Sequence, residues 1–231
     1  MSVPQPIDRA DRILDAAGEL MLRLGYRKVT IEDIARRAGV GKGTVYLHWR
    51  TKAELFEALM LRASTSMLTE VAERLRQDPR EIQPHRYLRT AFFIIQRNPL
   101  LRAAVTADAE LLGNLAHSPV RAKEQEIHER YVALITEHGL VRDDIPHLEY
   151  ALNAASLGFF TLDSLDAGTP QLDDESVADV LAYTIRHAFE PEGEPDPESL
   201  TAAANEIADL FDELNAVFRE RIYSAPENER G

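Results

Sequence analysis

The sequence predicts an all-α protein, and three observations predict it. Apolar residues recur at helical spacing along almost the whole chain. No stretch alternates as a half-buried strand would. Helix-start and helix-stop signals fall at the ends of the periodic runs. The chain has 231 residues, enough to bury a real core in one large domain or in a small one plus a larger one.

The first predicted helix runs from about Asp8 to Leu24, with Ile13, Leu14, Ala17, Leu20, Met21 and Leu24 on one face. Gly25 stands where a left-handed C-cap belongs. Thr30 caps a second helix, with Asp33 three residues on and Ile31, Ile34, Ala35 and Ala38 on its buried side. Ala38-Gly39-Val40 makes a tight turn into a third helix that ends near His48. Thr51-Lys-Ala-Glu54 is a capping box that opens a fourth, which fades near Gln77.

Downstream, Pro84 opens a helix through Arg97. Asn98-Pro99 and Ser118-Pro119 predict helices from about Leu100 to Leu115 and from Val120 to Glu137. Leu148–Leu165 is strongly apolar, and Ser176–Phe189 carries a second late stripe. The Pro/Gly/acid segment EPEGEPDPES is a linker. After it, Asp196 and Pro197 start a last helix whose Leu200, Ala204, Ile207, Phe211, Leu214 and Phe218 are spaced four and three in alternation. That spacing fits either a dimer element or a cover docked on the same subunit.

Composition removes several function classes. There is no Cys, which excludes disulfides, thiolate zinc sites and Cys nucleophiles. No apolar run is long enough to span a bilayer, and the N-terminus lacks an apolar signal core, so a cytoplasmic location is expected. No enzyme constellation is found: His128-Glu129 has Val132 where a second zinc-binding His is required. The run GVGKGT lacks the order and the preceding strand of a phosphate loop. No cofactor and no metal are expected. The net charge of −13 is unevenly spread. Residues 1–50 hold nine Lys/Arg against six Asp/Glu, a local +3, and the remaining 17 Lys/Arg and 33 Asp/Glu leave −16 on the rest. Such asymmetry points to nucleic-acid contact by the basic segment.

Residues 30–52, TIEDIARRAGVGKGTVYLHWRTK, carry the chemistry. Two short helices joined by a Gly-containing turn form a helix-turn-helix, whose second helix is built to lie in the DNA major groove. On a helical wheel Val45 and Trp49 fall together as the core pair. Leu47 centres the opposite side, with Gly43 and Thr44 nearby and Tyr46 and His48 on the flanks. Tyr46 and His48 are placed to reach phosphates, Thr44 a base or a phosphate, and Leu47 a thymine methyl. Gly43 lets the backbone come close. Lys42 gains nothing from the helix dipole in the first turn, so a phosphate contact suits it better than an intramolecular role. Thr30 and Lys52 open the neighbouring helices and are placed to clamp backbone phosphates.

The stretch Ile13–Phe56 resembles the DNA-binding domain of the tetracycline-repressor (TetR) family. Gly25-Tyr26, Thr30-Ile31, Ala38-Gly39-Val40, Gly43-Thr44-Val45-Tyr46, His48 and Lys52 carry the likeness. Gly41 replaces a frequent Ser cap, and Trp49 replaces the usual Phe. The resemblance implies a bacterial one-component sensor with a DNA-binding domain over 8–55 and a helical ligand-binding and dimerisation domain over 56–224. A homodimer would present two heads to a palindromic double-stranded operator, about 34–36 Å apart. A small-molecule effector would tilt the fourth helix and release the DNA. The usual outcome is repression; an activator or a nucleoid-type binder without inducer is the alternative. The resemblance also puts the effector pocket among the helices from Pro84 to Leu165. Arg89, Asn114, His128 and Asn153 are its polar candidates, and Phe92, Phe93 and Phe159 are among the apolar ones. The two late helices at 148–165 and 176–189 are the natural dimer pair.

Overall fold

The computed structural model describes residues 6–106, 108, 119–165 and 172–223; within them the chain forms ten α-helices, one 3-10 turn and no strand. In chain order these are α1 Pro6–Leu24, α2 Ile31–Ala38, α3 Lys42–His48 and α4 Lys52–Gln77, then the 3-10 turn Pro79–Ile82. They continue with α5 Pro84–Arg97, α6 Pro99–Val105, α7 Pro119–Glu137, α8 Leu148–Leu165, α9 Asp174–Phe189 and α10 Pro197–Tyr223. The all-α architecture is the expected one. No helix among the described residues is long and apolar enough to cross a membrane.

The caps explain the boundaries. Thr30 Oγ1 accepts from the Asp33 amide at 3.1 Å and donates back to the Asp33 carboxylate at 2.6 Å, closing the start of α2. Gly39 ends α2 in the left-handed conformation at φ 67°, which a side chain would strain. Thr51 Oγ1 accepts from the Glu54 amide, while the Glu54 carboxylate accepts from the amide of Arg50, one residue earlier than the usual reciprocal bond. Asp173, not Ser176, starts α9: its carboxylate accepts from the Ser176 amide at 2.8 Å. Asp196 serves α10 in the same way, accepting from Ser199 at 2.9 Å.

Two compact units emerge. The first holds Met1–Thr65, Pro99–Arg121 and Asn215–Gly231, and the second Ser66–Asn98 and Ala122–Leu214. Helices α4 and α10 each contribute to both. In the first unit α1 packs on α2 and α3, and Ile13, Leu14, Ala17 and Met21 of α1, Ile34 of α2, Val45 and Trp49 of the α3 segment and Leu55, Phe56 and Leu59 of α4 are all buried. Leu24 departs from the expected stripe: it ends α1 beside Gly25 and is exposed. In the second unit α5 packs chiefly along α9, with Phe92, Ile94, Leu181 and Ile185 buried.

The open choice about the last helix is resolved by burial. Leu200, Ala204, Ile207, Phe211, Leu214 and Phe218 are all buried within this chain, so the heptad-spaced stripe of α10 is spent as a cover on its own subunit. Apolar residues stay open on α8 and α9, while Val217 is 54% exposed on α10. Tyr150 is 77% exposed and Tyr183 65%, with Leu157, Leu162 and Val180 also open.

Candidate nucleic-acid interface

The geometry of α3 follows from two buried residues. Val45 is fully buried, and Trp49, the C-cap, is 4% exposed with its amide bonded to the Val45 carbonyl at 3.0 Å. Anchoring that side turns the other outward: Leu47 is 70% exposed, Tyr46 is exposed and Thr44 half-buried. Gly41 caps the helix start without a side-chain bond. A Cβ placed on Gly43 would meet nothing within 4 Å, so the space over that backbone is open.

The flanks are more occupied than the sequence implies. Lys42 forms an ion pair with Glu32 in the first turn of α2 and lies 5.8 Å over the ring of Tyr46. Their mutual hydrogen bond raises the ammonium and lowers the carboxyl from their ordinary values. A phosphate contact was expected to suit Lys42 better than an intramolecular role; in the free protein the turn brings the two helix starts together and gives it a partner on α2. His48 is half-buried, its ring 5.4 Å from that of Trp49. Burial, with help from the charge of Arg9, holds its imidazole below the usual range.

Lys52 points inward. Its Nζ donates to the Tyr26 carbonyl at 2.5 Å and lies 4.4 Å over that residue's ring, and burial lowers its ammonium. Its expected presentation to phosphates is not what this conformation offers; a four-carbon stem lets the charge fold back over an aromatic face. Thr30 is likewise engaged, its hydroxyl held by Asp33, although the residue is exposed.

The expected effector residues are partly brought together. Phe92 is buried against Phe93, at 5.9 Å between rings, and against Phe160 at 5.2 Å. Phe159 and Asn153 are half-buried on α8. Asn114 lies outside the described residues. The Arg89 guanidinium, expected as a polar anchor, pairs with Asp179 at 2.9 Å and with Glu175, tying α5 to α9. His128 Nε2 is buried without a partner among the described residues, and burial lowers its imidazole. The hydroxyl of Tyr131, one turn along the same face of α7, is also buried with no partner among the described residues, while its ring stacks on Tyr87 at 4.2 Å. Tyr87 escaped the sequence reading; its spacing of four from the buried Ala91 was the available signal. Among the described residues no group of three or more His, Asp or Glu is arranged to hold a metal.

Comparison with known proteins follows the same division. A family model described as bacterial regulatory proteins, tetR family, matches residues 13–59. An HTH-type transcriptional regulator of Bacillus subtilis, YhgD, is 26% identical over 186 residues, covering 78% of this chain and 95% of its own. The nucleoid occlusion factor SlmA of Aliivibrio fischeri is 27% identical over 133 residues, 56% of this chain and 66% of that one. A tetR-family transcriptional regulator of Streptomyces coelicolor superposes with a TM-score of 0.52 at 19% identity, over 99% of this chain and 93% of that structure. This last likeness speaks for the fold alone.

Proposed function

This chain belongs to the tetR family of bacterial regulatory proteins and is a DNA-binding transcriptional regulator rather than an enzyme, and from that premise we propose that it is a ligand-responsive repressor acting as a homodimer on a palindromic operator. The observation that carries the reading is Leu47, an apolar side chain held 70% open at the centre of α3 while Val45 and Trp49 anchor the opposite side. An isolated protein gains nothing from that exposure; a thymine methyl in a major groove would cover it. Residues 8–55 would read the DNA, with Thr44 and Leu47 at base edges, Gly43 allowing close approach, and Thr30, Lys42, Tyr46 and His48 at phosphates. Lys52 would chiefly brace Tyr26.

Residues 56–224 would hold the effector and the partner subunit. The open apolar residues of α8 and α9 support a dimer face, since Tyr150, Leu157, Val180 and Tyr183 gain most by meeting their own copies. The His128 Nε2 and Tyr131 hydroxyl, unpaired among the described residues, support an effector site, because each buried polar atom left without a partner costs roughly 1–3 kcal/mol that a ligand could recover.

Unbiased selection of bound duplexes tests the reading. The expected product is a palindrome with half-sites about one helical turn apart, bound by a dimer; a monomer on a single half-site would sink it. The likeness to a nucleoid occlusion factor favours one alternative, a nucleoid-type binder without inducer. Footprints without a preferred sequence would favour that instead.

A further inference from the structure

We propose that the last turns of α10, from Phe218 to Tyr223, form a clamp on the reading head, with Arg221 and Tyr223 as positioning residues. This rests on the reading that α3 contacts DNA. Phe218 and Ile222 are buried, so this end of the helix is packed rather than frayed. Two polar ties leave it in different directions. Tyr223 donates its hydroxyl to Asp11 of α1 at 2.6 Å. Arg221 donates to the Glu57 carboxylate of α4 from Nη2 at 2.6 Å and from Nε at 3.0 Å. Arg62 of α4 closes the triangle, 2.8 Å from Asp15 and 3.5 Å from Asp11 on α1. The three helices are therefore cross-linked pairwise by named side chains. Tyr223 keeps its proton at ordinary pH, since burial and its bond to Asp11 push its hydroxyl up to about 12.

The clamp reaches the DNA-reading helix through a shared cleft. Arg221 and Glu57 border an opening of about 150 Å³ whose other walls include His48 and Trp49 at the C-terminal end of α3. Glu57 stands in that wall beside Glu54. Without Arg221 it would be an unpaired carboxylate next to a second one, 16% exposed and facing the segment that fixes α3. Both ties sit in the last turn of one helix, Pro197–Tyr223, so they act on α1 and α4 from the same place. The last turns of α10 thus set the attitude of α1, α4 and α3 together.

Trp49 is the only tryptophan in the chain, so its fluorescence reports on this place alone. In the full-length protein, Arg221→Ala and Tyr223→Phe should each shift Trp49 emission to longer wavelength and increase its quenching by acrylamide. Both should weaken binding to the selected operator by about 3- to 10-fold. The slope of log affinity against log salt should stay unchanged, and Arg221→Lys should recover most of the loss. A slope smaller by about one for Arg221→Ala would instead make Arg221 a phosphate contact and overturn the clamp. Unchanged Trp49 signals in both variants would overturn it as well. If the wild type selects no operator, the DNA reading fails, and the Trp49 signals still decide the clamp. If Arg221→Ala does not fold, Tyr223→Phe, which removes one oxygen, carries the test.

Discussion

The ammonium of Lys52 sits 2.5 Å from the carbonyl oxygen of Tyr26 and over that residue's ring. The first residue of α4 is thereby fastened to the turn that follows α1. Lys52→Ala should lower stability by about 1 kcal/mol, the ordinary worth of a charged hydrogen bond with a cation–π contact. The salt dependence of operator binding should be nearly unchanged, because the charge is committed inside the protein. Thermal melts and salt titrations separate the two effects. A slope reduced by about one, with melting unaltered, would show that Lys52 turns outward to a phosphate.

Glu32 competes with DNA for Lys42. The pair is exposed on both sides and thus open to screening by salt. A phosphate approaching the start of α3 must displace a carboxylate and tolerate its charge. Glu32→Gln removes that opposition while leaving the helix cap at Thr30 intact. Affinity for the operator should rise by about 2- to 10-fold at moderate salt, with a steeper salt dependence. An electrophoretic or anisotropy titration of the two proteins measures it, and an unchanged affinity would mean that Lys42 stays paired when DNA is bound.

These two cases show where the sequence was legible. The helix-turn-helix could be read because its signals are local: Thr30 caps a helix three residues ahead, Gly39 needs its own positive φ, and Val45 and Trp49 lie one turn apart. Lys52 meets Tyr26 and Lys42 meets Glu32 across a turn, and Arg89 meets α9 from far along the chain. Such pairings depend on how helices dock, which periodicity does not encode. The last helix was half legible. Its stripe was evident, but the surface that covers it became clear only from the burial of Ile207, Phe211 and Phe218. Arg221 and Tyr223 gave no signal at all, lying in a polar final turn whose partners are Glu57 and Asp11.

Gly43 separates stability from recognition. It is a helical residue in open space, so a methyl group there strains nothing in the free protein. Gly43→Ala should raise stability by up to about 1 kcal/mol through helix propensity. If the backbone at this point approaches the groove wall, the same methyl should weaken operator binding by about 10-fold or more, as overpacking costs 1–3 kcal/mol. A variant both more stable and equally tight would remove Gly43 from the contact surface.

His48 should make DNA binding and folding respond to pH in opposite directions. Its imidazole is held below the ordinary range, first by burial and then by Arg9, so it is neutral at pH 7. In the unfolded chain it titrates near its usual value of about 6.5. Below that pH the unfolded state takes up a proton that the folded state refuses. The folded state therefore loses stability as pH falls through about 6.5 toward the depressed value, and has its full contribution above it. The half-buried His128, also depressed, adds to the same trend. A phosphate beside His48 would reverse the preference in the complex by stabilising the imidazolium. Operator affinity of the wild type should then rise by about 3-fold or more between pH 7.5 and 6 at fixed ionic strength, staying below the tenfold per pH unit that one proton permits. His48→Gln should show flat binding over that range and a smaller loss of melting temperature on acidification. Flat binding by the wild type would take His48 away from the phosphates and leave it as a wall of the cleft behind α3.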